Sequence, residues 1–219
     1  GPILYNSIKN VISDLNGRDG IGLGAATVIN CEVRNTGGGA AGTGTGIGLD
    51  GYSGIIFGNY VDSVRGDGIR DGTTNGAISN IINNIIRSPG RDGIRLSGNS
   101  YGASIISNTI NGCTGDAIRV TDATAILHSR VINNILSSAT VTGINCTVGS
   151  TALNDRATRG LWNYNDLFSN GTNYTNITAG ANDSTLDPQF VNSGSEDFAI
   201  GTNLKALGFP GAFRGSSTT

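Results

Sequence analysis

The chain has 219 residues, a net charge of −2 and 14% charged side chains, without a basic run. That balance argues against duplex nucleic acid and anionic membrane surfaces as partners, since both need clustered Lys and Arg. No apolar run approaches the ~20 residues of a membrane span, and 35 Gly without a G-X-Y period beside only 4 Pro excludes collagen and polyproline linkers. Gly1-Pro2 at the start reads as a protease-cleavage scar, so residues 1–5 are taken as scar and lead-in, with the native start expected upstream.

From residue 20 one short pattern recurs. Gly20-Ile21-Gly22-Leu23 is followed by Gly46-Ile47-Gly48-Leu49, Gly68-Ile69-Arg70-Asp71, Gly93-Ile94-Arg95-Leu96, Ala117-Ile118-Arg119-Val120 and Gly143-Ile144-Asn145-Cys146. Between the isoleucines the steps are 26, 22, 25, 24 and 26 residues. A period in the twenties is the signature of a solenoid. A second column runs beside the first: Val28-Ile29-Asn30-Cys31-Glu32-Val33, Phe57-Gly58-Asn59-Tyr60-Val61, Ile82-Asn83-Asn84-Ile85, Ile106-Ser107-Asn108-Thr109-Ile110, Ile132-Asn133-Asn134-Ile135 and Tyr164-Asn165-Asp166-Leu167. Taking the Asn two places before the apolar residue puts Asn59, Asn83, Asn108, Asn133 and Asn165 in one file, headed by Cys31.

Apolar residues alternate within each coil, which is strand period, and no stripe at helical spacing is long enough for an ordinary helix. Leucine-rich repeats share the period but require a Leu-rich consensus that is missing. The expectation is all-β: a parallel β-helix of about eight coils. Each coil would hold two or three short strands, stacked ~4.8 Å apart. The Asn file then has two physical causes. Asn tolerates the left-handed backbone of a tight bend, and its amide can hydrogen-bond from coil to coil.

Cys31, Cys113 and Cys146 have neither disulfide nor CxxC spacing and read as small buried hydrophobes. The Gly/Ala/Thr stretch from Asn35 to Thr45 and the polar stretch from Ser150 to Arg159 read as surface loops. His128, the one histidine, is expected to face outward or cap a turn.

From Asn163 the pattern changes, as terminal repeats must. The sequences "YNDLF", "DPQFVN" and "DFAI" followed by "ALG" resemble the closing coils of right-handed parallel β-helix proteins, the pectate-lyase-like superfamily. The resemblance implies one right-handed β-helix domain over 6–208, closing coils from about 162 and a tail at 209–219. It also implies a class that includes polysaccharide lyases, glycoside hydrolases, epimerases and phage tailspikes. The polygalacturonase set (N-T-D, D-D, G-H-G, R-I-K) is not complete here. The epimerase D-P-H-D and the pectate-lyase R-x-P-x-x-R are absent.

Two places before the marker Ile stand Asp19, Thr45, Asp67, Asp92, Asp116 and Thr142; one place after it stand Gly22, Gly48, Arg70, Arg95, Arg119 and Asn145. Stacked in register, these form neighbouring acidic and basic columns, expected on one exposed strip. The bland reading is a compensated surface ladder. The sharper one is a carbohydrate site, because carboxylates one rung apart fall in the roughly 5–9.5 Å range of glycoside hydrolysis. Arg70, Arg95 and Arg119, with Asp116, would hold substrate; Asp67, Asp71 and Asp92 are the catalytic candidates. Asp71 stands in a slot that other coils fill with Leu23, Leu49, Leu96, Val120 or Cys146, so it lies inward unless a bulge turns it out. Trp162 and Tyr164 share strand parity and could present one sugar-stacking face, or pack in the core or as an end cap.

These residues favour an extracellular or virion-surface rod that engages a polysaccharide or cell-surface glycan, in the manner of a tailspike or adhesin. The alternatives are a polysaccharide lyase or hydrolase on the Asp/Arg face and a purely structural spacer. No cofactor is required, although carboxylate clusters can hold Ca²⁺. Fibres of this kind form trimers, and a homotrimer is an open alternative that no coiled-coil heptad demands.

Overall fold

The computed structural model describes residues 6–14, 17–24, 26–37, 44–49, 53–72, 78–97, 102–121, 129–147 and 162–200. Residues 1–5, the tail, His128 and the stretch from Ser150 to Arg159 lie outside the described residues. Among the described residues twenty-one short strands, β1 to β21 in chain order, form three parallel seven-stranded sheets. Each coil contributes one strand to each sheet. In the fourth coil these are β10 (Ile78–Ile82), β11 (Ile85–Arg87) and β12 (Ile94–Leu96). The architecture is the expected parallel β-helix, with seven rungs per sheet in place of about eight coils.

Alternation along each strand sends one file of side chains into the bore. Val28, Ile56, Ile81, Ile105, Val131 and Trp162 stack from the first sheet, and Val33, Val61, Ile86, Ile110, Leu136 and Leu167 from the second. The third sheet supplies Ile47, Ile69, Ile94, Ile118 and Ile144. Each buried aliphatic side chain contributes roughly 1.5–3 kcal/mol. The Gly that opens the marker has a packing cause: a Cβ on Gly93 would stand 2.5 Å from the Ala117 carbonyl oxygen of the next coil.

The bend between the first and second sheets holds an amide ladder. Asn84 Nδ2 donates to Asn108 Oδ1 (3.0 Å) and to the Ile56 carbonyl (3.0 Å), while Asn84 Oδ1 accepts from both Asn59 N (3.0 Å) and Asn59 Nδ2 (2.9 Å). Asn108 and Asn134 repeat this, and Asn165 ends the ladder on Asp183. Cys31 heads it, donating its backbone N–H to Asn59 Oδ1 at 2.8 Å.

The expected file is corrected in two coils: the buried members are Asn84 and Asn134, not Asn83 and Asn133. The neighbours Asn83 (φ 55°) and Asn133 (φ 58°) occupy the left-handed position before the ladder, as do Asn30, Ser107 and Tyr164 in other coils. In the NN pairs both asparagines fit, and counting from Ile85 and Ile135 chose the wrong one. The inward residues are Ile86 and Leu136.

Candidate functional site

Between the second and third sheets the chain turns through Asp19, Thr45, Asp67, Asp92, Asp116 and Thr142. The acidic column was expected on an exposed strip; instead Asp67, Asp92 and Asp116 are each only 2% exposed. The reason is backbone chemistry. Asp67 Oδ1 accepts the Asp92 N–H (3.3 Å), Asp92 Oδ1 accepts the Asp116 N–H (3.0 Å), and Asp19 Oδ1 accepts the Thr45 N–H (2.8 Å). The carboxylates fold back over the bend and hold the next coil, so they are building elements of the corner.

Basic and amide groups stand near these carboxylates, while Asp92 Oδ2 and Asp116 Oδ1 are buried without a hydrogen-bond partner among the described residues. Arg119 Nη1 lies 3.8 Å from Asp92 Oδ2 and its Nε 3.9 Å from Asp116 Oδ2. Arg91 Nε lies 3.9 Å from Asp67 Oδ1, and Asn145 Nδ2 donates to Asp116 Oδ2 at 2.8 Å. Burial pushes the Asp92 carboxyl above its ordinary value. The Asp116 N–H pulls it back, neighbouring Asp67 pushes it up, Arg119 pulls it down, and Asp116 adds the last upward push.

Arg70, Arg95 and Arg119 lie in register on adjacent strands, on the outward side of the third sheet, with Gly48 before them and Asn145 after. Like charges one rung apart destabilise a sheet unless compensated; the buried carboxylates beside Arg119 supply part of that compensation. Arg95 Nε and Asn145 Oδ1 are buried without a hydrogen-bond partner among the described residues. Groups of this kind call for an explanation in a native structure.

Asp71 does lie inward. It is 0% exposed and in register with Leu49 and Leu96, so no bulge turns it out and it has no path to a ligand on the surface. Trp162 and Tyr164 do not share a face. Trp162 is buried at 2% with its indole N–H donated to the Ser129 carbonyl (3.0 Å), and Tyr164 occupies the left-handed bend (φ 59°) just past the strand Trp162–Asn163. Parity failed because the strand ends before Tyr164. The structure therefore brings together Arg70, Arg95, Arg119, Asp67, Asp92 and Asp116, and sets Asp71, Trp162 and Tyr164 apart from them.

Sequence reasoning missed a second charged cluster, around Arg34, Asp62 and Arg87 on the second sheet. These residues stand three places after Cys31, Asn59 and Asn84, so the ladder alignment itself contained the signal. Among the described residues no group of three or more His, Cys, Asp or Glu side chains is placed to hold a metal ion, and no helix is long and apolar enough to cross a membrane.

Fold and corner together define a parallel β-solenoid with an arginine file on one face. No family model, no curated protein and no solved structure matches the chain.

Proposed function

We propose that the chain is the shaft of an extracellular or virion-surface rod that engages glycans through the arginine file of its third sheet. The observation that carries this reading is the in-register stack of Arg70, Arg95 and Arg119 above buried carboxylates. Cations repeated every ~4.8 Å on a rigid wall suit a chain-like ligand with repeated acceptors. Resemblance of the closing coils to pectate-lyase-like proteins supports a carbohydrate ligand.

Catalysis is the second reading, favoured by one feature: a carboxyl raised by burial beside an arginine, Asp92, is the kind of group that acts as a general acid. Against it, Asp67 and Asp92 are engaged in holding the next coil, and all three candidate carboxylates are almost wholly covered.

A polysaccharide panel tests both readings, scoring binding and release of reducing or unsaturated ends, with and without Ca²⁺. Binding without products, lost in Arg95→Ala and Arg119→Ala, is the expected result. Products that vanish in Asp92→Asn would make the protein an enzyme. Binding to nothing would leave a structural spacer.

A further inference from the structure

On the outer face of the second sheet, β5 (Glu32–Arg34), β8 (Tyr60–Asp62) and β11 bring Arg34, Asp62 and Arg87 into one in-register file. Asp62 lies between the two arginines, 3.5 Å from Arg34 Nη1 and 3.4 Å from Arg87 Nη1. Arg34 Nε also donates to Glu32, and its guanidinium lies over the Tyr60 ring, 4.8 Å from the centroid. Ring and carboxylates fix the plane of the guanidinium, which presents its Nη1 and Nη2 atoms as a preformed fork.

Glu196, 162 residues further along the chain, takes that fork with both oxygens, at 2.5 and 2.7 Å. Its Oε1 also stands 3.7 Å from Arg87 Nη1, and Arg87 Nη2 donates to the Gly194 carbonyl at 3.4 Å. Glu196 follows the short 3-10 turn Ser193–Ser195 and has φ 70°, a left-handed backbone that a residue with a Cβ adopts at a cost. Its side chain is 36% exposed. The closing segment therefore delivers a single carboxylate, in a strained and solvent-accessible posture, into a bidentate arginine site.

We propose that the Arg34–Arg87–Tyr60 surface is a binding site for the carboxylate of an acidic saccharide, and that Glu196 occupies it in the free protein. The class of ligand rests on the glycan reading above, but the site does not depend on the third-sheet arginine file. Without Glu196 the two arginines stand against the carboxylates of Glu32 and Asp62, with exposed Asp14 in register with Arg34 on the preceding strand. The side chains of an acidic peptide bring only acceptors to those carboxylates, leaving its backbone N–H groups as its donors. A uronate brings one carboxylate for the fork and several hydroxyl donors for Glu32 and Asp62.

The test is calorimetric titration of trigalacturonate, with maltotriose and hexaglutamate as the neutral and peptide controls. Because Glu196 competes for the fork, Glu196→Gln is expected to bind trigalacturonate about tenfold or more tightly than wild type. Adding Arg34→Lys should abolish the gain, since Lys cannot form the fork, while adding Arg95→Ala should leave it. A folded Glu196→Gln with no gain overturns the proposal, as do equal binding of hexaglutamate and loss of the gain with Arg95→Ala. In wild type, saturating trigalacturonate should speed amide exchange over residues 193–197; unchanged exchange overturns the proposal whatever the variants do. Should Arg95→Ala and Arg119→Ala leave panel binding untouched while the Glu196→Gln gain holds, the third-sheet reading fails and this one stands.

Discussion

The two bends that flank the second sheet carry ladders of opposite chemistry. An amide both donates and accepts, so an interior Asn closes on its neighbours: at Asn84, two donated bonds, two accepted, nothing left over. A carboxylate only accepts. Asp67 and Asp92 each tie the next coil's backbone through Oδ1, Asp116 holds it through the Asn145 side chain, and Asp92 Oδ2 has only the long contact to Arg119. The directions also differ. At the amide corner the earlier coil's N–H donates to the later side chain; at the acid corner the later coil's N–H donates to the earlier one. The amide ladder is thus a closed structural element, and the acid ladder leaves charge that the outer face must answer. The outer face beside the acid corner therefore carries an arginine against its carboxylates, and the amide corner needs none.

Within the amide corner, adjacent asparagines should separate completely. Asn134→Gly removes the amide and strands its partners, at a cost of about 3–5 kcal/mol. Asn133→Gly keeps the left-handed backbone and should stay within about 0.5 kcal/mol of wild type in urea unfolding. Equal costs would mean that the two residues do not divide the work as described.

Swapping the two chemistries gives the next effect. Asn108→Asp inserts a buried charge and deletes two donors, for a loss of about 3 kcal/mol at neutral pH. Asp92→Asn keeps the Oδ1 acceptor for the Asp116 N–H and removes a charge, so it should cost less than about 1 kcal/mol or stabilise. A costly Asp92→Asn would show that the carboxylate's charge is needed for folding.

The pH dependence follows from the same asymmetry. The folded-state pKa of Asp92 lies above its ordinary 3.8. Its contribution is therefore most favourable below the unfolded value and is lost as pH rises through the folded one. Thermal unfolding should show Asp92→Asn gaining on wild type as pH climbs from about 4 towards neutrality, whereas Asn108→Ala, at the neutral corner, should run parallel to wild type. Glu196 behaves oppositely. Arg34 holds it below its ordinary 4.5, so its contribution is present above that value and lost as pH falls through the lowered one.

The smallest effect is Arg119→Ala. Its ion pairs to Asp92 and Asp116 are long, at 3.8 and 3.9 Å, and partly solvated. Removing it should cost no more than about 1 kcal/mol and should raise the Asp92 pKa further, which nuclear magnetic resonance titration would read. A fall in that pKa would contradict the assigned role.

Much of this was legible in the chain. The marker isoleucines, the alternation Ile94-Arg95-Leu96 and the arginine file were each read at the right residue, because a stacked coil repeats the same local demand every turn. What misled was a doubled letter or a strand end: Asn83-Asn84 and Asn133-Asn134 offered two candidates for one place, and Tyr164 stood one residue beyond the strand on which parity was counted.

The sequence alone determined the parallel β-helix, the inward file of aliphatic side chains and the register of Arg70, Arg95 and Arg119. All of these follow from a period in the twenties crossed with strand alternation. Only the tertiary structure decided that the corner aspartates are buried, that Asp71 lies inward without a bulge, that Trp162 and Tyr164 part company, and that Glu196 meets Arg34. A backbone N–H one coil away draws the Asp67 and Asp92 carboxylates inward, and a segment that folds back across earlier coils makes a contact 162 residues apart. No local pattern records either, because both depend on which parts of a distant coil arrive beside them.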